Sequence, residues 1–335
     1  MRRLFVLLGL CTQALALPAF PDPETIKAPP EATARSGILG TWLRPNFKDS
    51  AHIQLERLKN AGYTDVFLET VYHGMAIYPS QLVPIRPEIR SRNVLLEFYE
   101  AAAELDMRLH AWIEVLYWSP PNRYNIKGGL LDEHPEWETQ TRDGRKSKQV
   151  ATGMGFADPA IPEVQDWSEA LAFEIGTLFP NVGLHIDYLR YPTGADFGYH
   201  PIAREAYMTS LATMPGLTWN RFRESQIANI AGRIAEGFHA SGASGLITAA
   251  VKPEYPFWGG ETRQSWETWS GIDVYIPMNY SVNTWYLQAL SQYLRAKSPK
   301  PVWMGIQIGE GYPSLEAQVN TLRPEGFNNF VVFAN

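Results

Sequence analysis

An α/β fold of the (β/α)8 TIM-barrel type, as one catalytic domain over residues 38–335, is what this sequence predicts, and three observations predict it. Short apolar runs of strand length alternate with helix-period segments until eight strands are counted. The run Val182-Gly183-Leu184-His185-Ile186-Asp187 is largely apolar on both faces, as suits a buried parallel strand. No G-x-G-x-x-G or P-loop pattern follows any strand, which counts against a doubly wound open sheet. A chain of 335 residues, 45% of them hydrophobic, can bury a core of that size.

Residues 1–16 read as a signal peptide: Arg2 and Arg3 give the charged start, Leu4 to Leu10 the apolar stretch and Ala14-Leu15-Ala16 the cleavage site. The stretch is too short to span a bilayer, so no stable membrane insertion is expected after cleavage, and the mature protein is expected in the periplasm or outside the cell. The one cysteine, Cys11, lies in that signal, which excludes disulfides, thiol nucleophiles and Cys-ligated metals from the mature protein. Residues 17–37 hold five prolines and read as a linker.

Strands are then expected at Ile38–Leu43, Asp65–Val71, Arg108–Leu116, Val182–Asp187, Gly245–Val251, Ile272–Met278, Val302–Ile308 and Asn329–Phe333. Between them, helices are expected at Ala51–Asn60, with Gly62 as a stop, at Asn93–Leu105, and at Pro162–Phe179, where proline suits the first helical position. Further helices are expected at Thr218–His239, Glu261–Trp269, Thr284–Ala296 and Ser314–Leu322. Long loops follow the third and fourth strands. The sequence given stops just after the eighth strand, so the last helix of the barrel is expected to be missing from it.

The net charge of −6 and the lack of any Lys/Arg run argue against a nucleic-acid partner. Aromatic residues make up 13%, with 11 Trp, which suits a packed core and a sugar-stacking cleft alike. In a barrel of this class the chemistry sits at the C-terminal strand ends and in the loops beyond them. Reading only those places gives carboxylates, aromatics and amides. Glycoside hydrolysis needs such a set: one carboxyl kept protonated as acid, and a second as nucleophile or base. Asp187 and Glu114, on adjacent strands, form the leading catalytic pair, with Glu69 and Glu254 in reserve. Trp112 and Trp118 supply apolar surroundings that raise the pKa of an acid at Glu114. Substrate contacts are expected from His110, Trp112, Trp118, His185, Arg190, Tyr191, Glu254, Trp258, Asn279 and Tyr280. Trp42, Trp266, Trp269 and Trp285 are assigned to packing.

Plainer readings stand beside these. Asp187 and Arg190 are also spaced for a structural ion pair, and Glu114 for orienting His110 or Arg190. His73, His110 and His185 suffice in number for zinc, as a metal-dependent deacetylase would need. They lie on three different strands without an H-x-H or H-x-x-x-H pattern, so neither metal nor cofactor is expected. No G-x-S-x-G elbow supports serine chemistry.

Several stretches together resemble the glycosyl hydrolase-like 10 family of bacterial envelope proteins. They are His185-Ile186-Asp187-Tyr188-Leu189-Arg190-Tyr191-Pro192, Ala76-Ile77-Tyr78-Pro79-Ser80, His110-Ala111-Trp112, the segment Ala157 to Val164, and Ile276-Pro277-Met278-Asn279-Tyr280. The resemblance runs in order from about Gly40 to Tyr280. It implies a secreted or periplasmic barrel acting on glycans, one branch of the family being peptidoglycan glycosidases that cleave strands stripped of peptides. It carries over Asp187; Glu114 stands where many relatives have Asn, and Leu68-Glu69-Thr70 also departs from the family pattern. The expected function is therefore a glycoside hydrolase with a polysaccharide substrate from the bacterial envelope. The alternative is a catalytically inactive, carbohydrate-binding barrel.

Overall fold

The computed structural model describes residues 27–89 and 91–334; the signal peptide expected over residues 1–16 lies outside them. Eight parallel strands form the centre: β1 (Leu39–Leu43), β2 (Asp65–Tyr72), β3 (Arg108–Glu114), β4 (Gly183–Asp187), β5 (Ile247–Val251), β6 (Val274–Pro277), β7 (Met304–Ile308) and β8 (Phe330–Ala334). Each pairs with the next in sequence, and β8 returns to β1 with Leu39 opposite Phe330. Only β6 and β7 fall short of a full ladder. They meet through single bridges, Tyr275 to Val302 and Met278 to Gly305. Trp303 N–H donates to the Tyr275 carbonyl (3.0 Å) and Asn279 N–H to that of Gly305 (2.9 Å), so the barrel closes along a thin seam.

The helices between the strands are α1 (Ala51–Asn60), α2 (Val94–Glu104), α3 (Pro162–Leu178), α4 (Pro201–Thr213), α5 (Trp219–Ala240), α6 (Thr284–Lys297) and α7 (Leu315–Leu322). Ser50, Asn93, Thr218 and Ser314 each accept a first-turn backbone N–H and so fix where α1, α2, α5 and α7 begin. In α5, Ile227, Ile230, Ala231 and Ile234 recur at helical spacing and are fully buried. They join the large core between helices and strands. A second, smaller core fills the barrel, with Trp42, Phe67, Trp112, Ile276, Trp303 and Val331 among its members.

The structure departs from the sequence reading in three places. β3 ends at Glu114 rather than Leu116, and Tyr117–Ser119 turns away to pair antiparallel with Gly155–Phe156. The segment expected as a helix over Glu261–Trp269 forms two 3-10 turns, Gly260–Thr262 and Trp266–Thr268. Side chains there bond backbone instead of leaving it free to coil: Gln264 Nε2 donates to the Leu189 carbonyl (3.2 Å), and Gln264 Oε1 accepts from Lys252 N–H (2.7 Å). Finally, α4 lies inside the excursion after β4 and buries only Ala203, so it has no apolar stripe to read.

The described part of the proline-rich stretch lies against the barrel floor. Asn181 Nδ2 donates to the Pro29 carbonyl (3.1 Å), Leu246 N–H to that of Ala32 (2.9 Å), and Arg35 pairs with Asp65 (3.1 Å). This run therefore crosses from the starts of β4 and β5 to that of β2, with Ala32 fully buried beneath Gly183. On the outside, Tyr78 and Ser80 hydroxyls and the Gln81 N–H all donate to Glu174 of α3, at 2.7, 2.6 and 2.8 Å. The Ala76–Ser80 stretch thus clamps the loop after β2 to the helix layer. Among the described residues, no helix is long and apolar enough to cross a membrane.

Candidate active site

Alternate residues of a barrel strand face inward. Contacts establish which set does so here. Trp42 Nε1–H donates to His185 Nε2 (2.9 Å), and His185 Nδ1 donates to Thr248 Oγ1 (2.8 Å). Phe67 stacks on His110 with ring centroids 4.2 Å apart, and His110 meets Trp303 edge-on at 6.3 Å. Counting by twos toward the C-terminal ends leads from Trp42 to Arg44, from Phe67 to Glu69, and from His110 through Trp112 to Glu114. The same count leads from His185 to Asp187, from Thr248 to Lys252 and from Trp303 to Gln307. One rim layer therefore gathers three carboxylates and two cations at the mouth.

Register places Glu114 directly opposite Asp187. A bulge at Thr70 ends the regular pairing of β2 just beyond Glu69. Glu69 and Glu114 are each 2% exposed and Asp187 7%. Their supports differ. Glu69 Oε1 accepts from Arg44 Nε (3.2 Å), whose side chain is 59% exposed. Arg44 also lies over the Trp112 ring, 5.7 Å from its centroid. Glu114 Oε2 accepts from the His73 backbone N–H (3.0 Å) and, among the described residues, forms no ion pair. Asp187 Oδ1 accepts from Tyr188 N–H (2.6 Å), and the Trp112 indole N–H is near enough to favour its charge without meeting full hydrogen-bond geometry. Tyr188 reaches that position in a left-handed conformation, φ 52°, which is costly for a non-glycine residue.

These supports set the protonation states. Burial pushes Glu114 well above the usual carboxylate range, and the charge of Glu69 pushes it further. Burial lifts Glu69 to about 7 against the pull of Arg44. Burial raises Asp187 too, but Tyr188 N–H, Arg190 and Arg44 all act to keep it charged. Both carboxyls are raised, Glu114 much the more strongly, and unequal support of two facing carboxyls is the arrangement acetal cleavage uses.

Of the other expected contacts, Trp112 and Tyr280 lie in this layer or beside it; Tyr280 stacks on Phe333 at 5.9 Å and stands edge-on to Trp42. Arg190 flanks Asp187, yet no ion pair joins them among the described residues. Several assignments need correction. His110 is fully buried one level down, 3.4 Å from Asp65, and His185 is fully buried between Trp42 and Thr248. Burial drives the His185 pKa well below its ordinary value, so both rings fill the barrel rather than meet substrate. Trp118 is enclosed by Trp137 and Trp167 at 5.9 and 4.7 Å and donates to the Val115 carbonyl. Tyr191 is 1% exposed.

Asn279 is likewise buried, its Nδ2 donating to the Leu287 carbonyl at 3.1 Å. Glu254 and Trp258 line a separate hollow of about 280 Å³ between the loop after β5 and α6, with Phe257, Tyr286 and Tyr293. Trp285, assigned to packing, is 68% exposed. The three histidines considered for zinc do not converge, and no group of three potential metal ligands exists among the described residues. Arg44, Tyr188 and Lys252 were not among the expected site residues; each sits at or just beyond a strand end, the signal that finds them.

The sequence model of the family described as "Glycosyl hydrolase-like 10" matches residues 40–320. The glycosyl hydrolase DigH of Escherichia coli K12 is 26% identical over 146 residues, which is 40% of this chain and 32% of the relative. The DigH of Shigella flexneri matches to the same extent. The chain thus spans about a third of the length of these curated relatives. Among solved structures, the catalytic domain of β-amylase from Paenibacillus polymyxa superimposes with a TM-score of 0.59 at 12% identity, covering 89% of this chain and 93% of that one. An α-galactosidase from Lactobacillus brevis gives 0.55 at 13% identity, over 90% of this chain and 37% of that one. At such identities these structures share the barrel fold.

Proposed function

The chain belongs to the glycosyl hydrolase-like 10 family, and from that footing we propose that it is a secreted glycoside hydrolase acting on a bacterial envelope polysaccharide. The observation that carries this reading is the rim layer in which Glu114 and Asp187 stand opposite each other with contrasting support. In this reading Glu114 donates its proton to the leaving glycosidic oxygen. Asp187, whose anion is favoured by Tyr188 N–H, Arg190 and Arg44 against the effect of burial, acts as nucleophile or as the base that activates water. Glu69, paired to Arg44, adds negative charge that keeps Glu114 protonated, and Trp112 offers an apolar wall. The DigH relatives are named glycosyl hydrolases, which points the same way, and peptide-free peptidoglycan strands are the first substrate to test.

Purified mature protein incubated with such strands and with a panel of polysaccharides is expected to release new reducing ends from at least one of them. Asp187→Asn is expected to lower that rate roughly 100- to 10,000-fold while leaving thermal unfolding close to wild type. Full activity in Asp187→Asn would refute the assignment. Binding of glycan without cleavage by the wild type would leave a carbohydrate-binding barrel.

A further inference from the structure

Arg190 and Lys252 follow the C-terminal ends of the neighbouring fourth and fifth strands, Arg190 three residues beyond β4 and Lys252 the first residue beyond β5. Both are half-buried. Lys252 is pinned by its backbone: its N–H donates to Gln264 Oε1 (2.7 Å) and its carbonyl accepts from Trp266 Nε1 (3.1 Å). No bond or ion pair fixes its ammonium group among the described residues. Arg190 makes one long contact, Nη1 to the Tyr191 carbonyl at 3.5 Å, and its Nε is buried with no partner. Its guanidinium is held over the Tyr188 ring, 4.8 Å from the centroid.

Several other buried or partly buried cations of this chain are matched, Arg44 by Glu69, Arg86 by Glu88, and Arg223 and Arg263 by Asp196, while Lys146 is bonded to the Pro135 carbonyl and Arg108, at the start of β3, is likewise without an ion pair among the described residues. Arg190 and Lys252 follow neighbouring strands, and neither has a carboxylate at ion-pair distance among the described residues. Burial and the charge of Arg190 both press the Lys252 pKa down, with Glu254, Glu261 and Asp187 opposing from beyond ion-pair distance. Two neighbouring cations with no carboxylate at ion-pair distance are costly unless an anion is meant to arrive between them. A guanidinium fork beside an ammonium suits a carboxylate well.

We propose that Arg190 and Lys252 form a carboxylate-binding subsite next to Asp187, so that the preferred glycan carries an acidic sugar. The carboxylate belongs either to a uronic acid ring or to a carboxyalkyl ether on an amino sugar. This rests on the reading of the mouth as a sugar site, though not on cleavage.

The test uses monosaccharides, which hold no glycosidic bond to break, and the wild-type protein. Calorimetric titration compares glucuronate with glucose, and N-acetylmuramate with N-acetylglucosamine. One acid is expected to bind about ten-fold tighter than its neutral partner, a preference that Lys252→Met and Arg190→Met each erase. Lys252→Arg, which keeps the charge, is expected to retain much of it, and separates a lost contact from a damaged fold. Which acid is preferred identifies the carboxylate. Equal binding within both pairs, no acid binding up to the solubility limit, or a preference that survives both substitutions would overturn the subsite. A protein that prefers the acid yet cleaves no glycan would keep this subsite and lose the hydrolase.

Discussion

Glu69 and Glu114 are equally buried, yet Arg44 holds one and a single backbone N–H the other. The contrast has a pH signature. The negative charge of Glu69 raises the Glu114 pKa, so removing it lets Glu114 lose its proton at lower pH. Glu69→Gln is therefore expected to move the basic limb of the kcat/KM profile about one pH unit toward acid, with a smaller loss at the optimum than Glu114→Gln. An unmoved basic limb would remove Glu69 from the proton-holding role. The carboxylates themselves were legible in the sequence because Glu114 and Asp187 each close a strand and Glu69 interrupts an apolar one. Depth was not. His110 and Glu114 share an inward parity, as do His185 and Asp187, and the alternation that puts them inside does not say which level meets solvent. Only the level of the strand end separates a core imidazole from a site residue.

Elements were legible where packing left a periodic trace. α5 buries a stripe and carries a Thr218 cap, and its expected bounds fall within a residue of those observed. α4 lies on the surface and leaves no such trace, while Glu261–Trp269 shows helical spacing that Gln264 overrides by bonding two backbone groups. The Ala76–Ser80 stretch belongs to this scale as well. Its hydroxyls and the Gln81 N–H converge on one carboxylate of α3, so Glu174→Ala strands three donors at once. That substitution is expected to cost about 1–3 kcal/mol in urea unfolding while activity per folded molecule is kept. A neutral effect on stability would mean that the clamp contributes nothing.

For the whole molecule, the fold class was readable because eight strands with helices between most of them allow few topologies, but the quality of closure was not, since it depends on a few contacts between β6 and β7. At Gly305 an added Cβ would lie 2.7 Å from the Pro277 carbonyl oxygen and 2.9 Å from the Trp42 ring. Gly305→Ala is expected to destabilise by about 1–3 kcal/mol, and amide exchange to be fastest, among barrel strands, at Trp303 and Asn279. Uniform exchange around the barrel would argue against a weak seam. The floor is the opposite case. With Ala32 wedged under Gly183 and the aromatic core above it, the barrel is a cup and not a tube. Whatever reaches Asp187 enters and departs over a single lip, so under the proposed function a polymer would drape across the opening, and each severed piece would have to clear it before another stretch could settle.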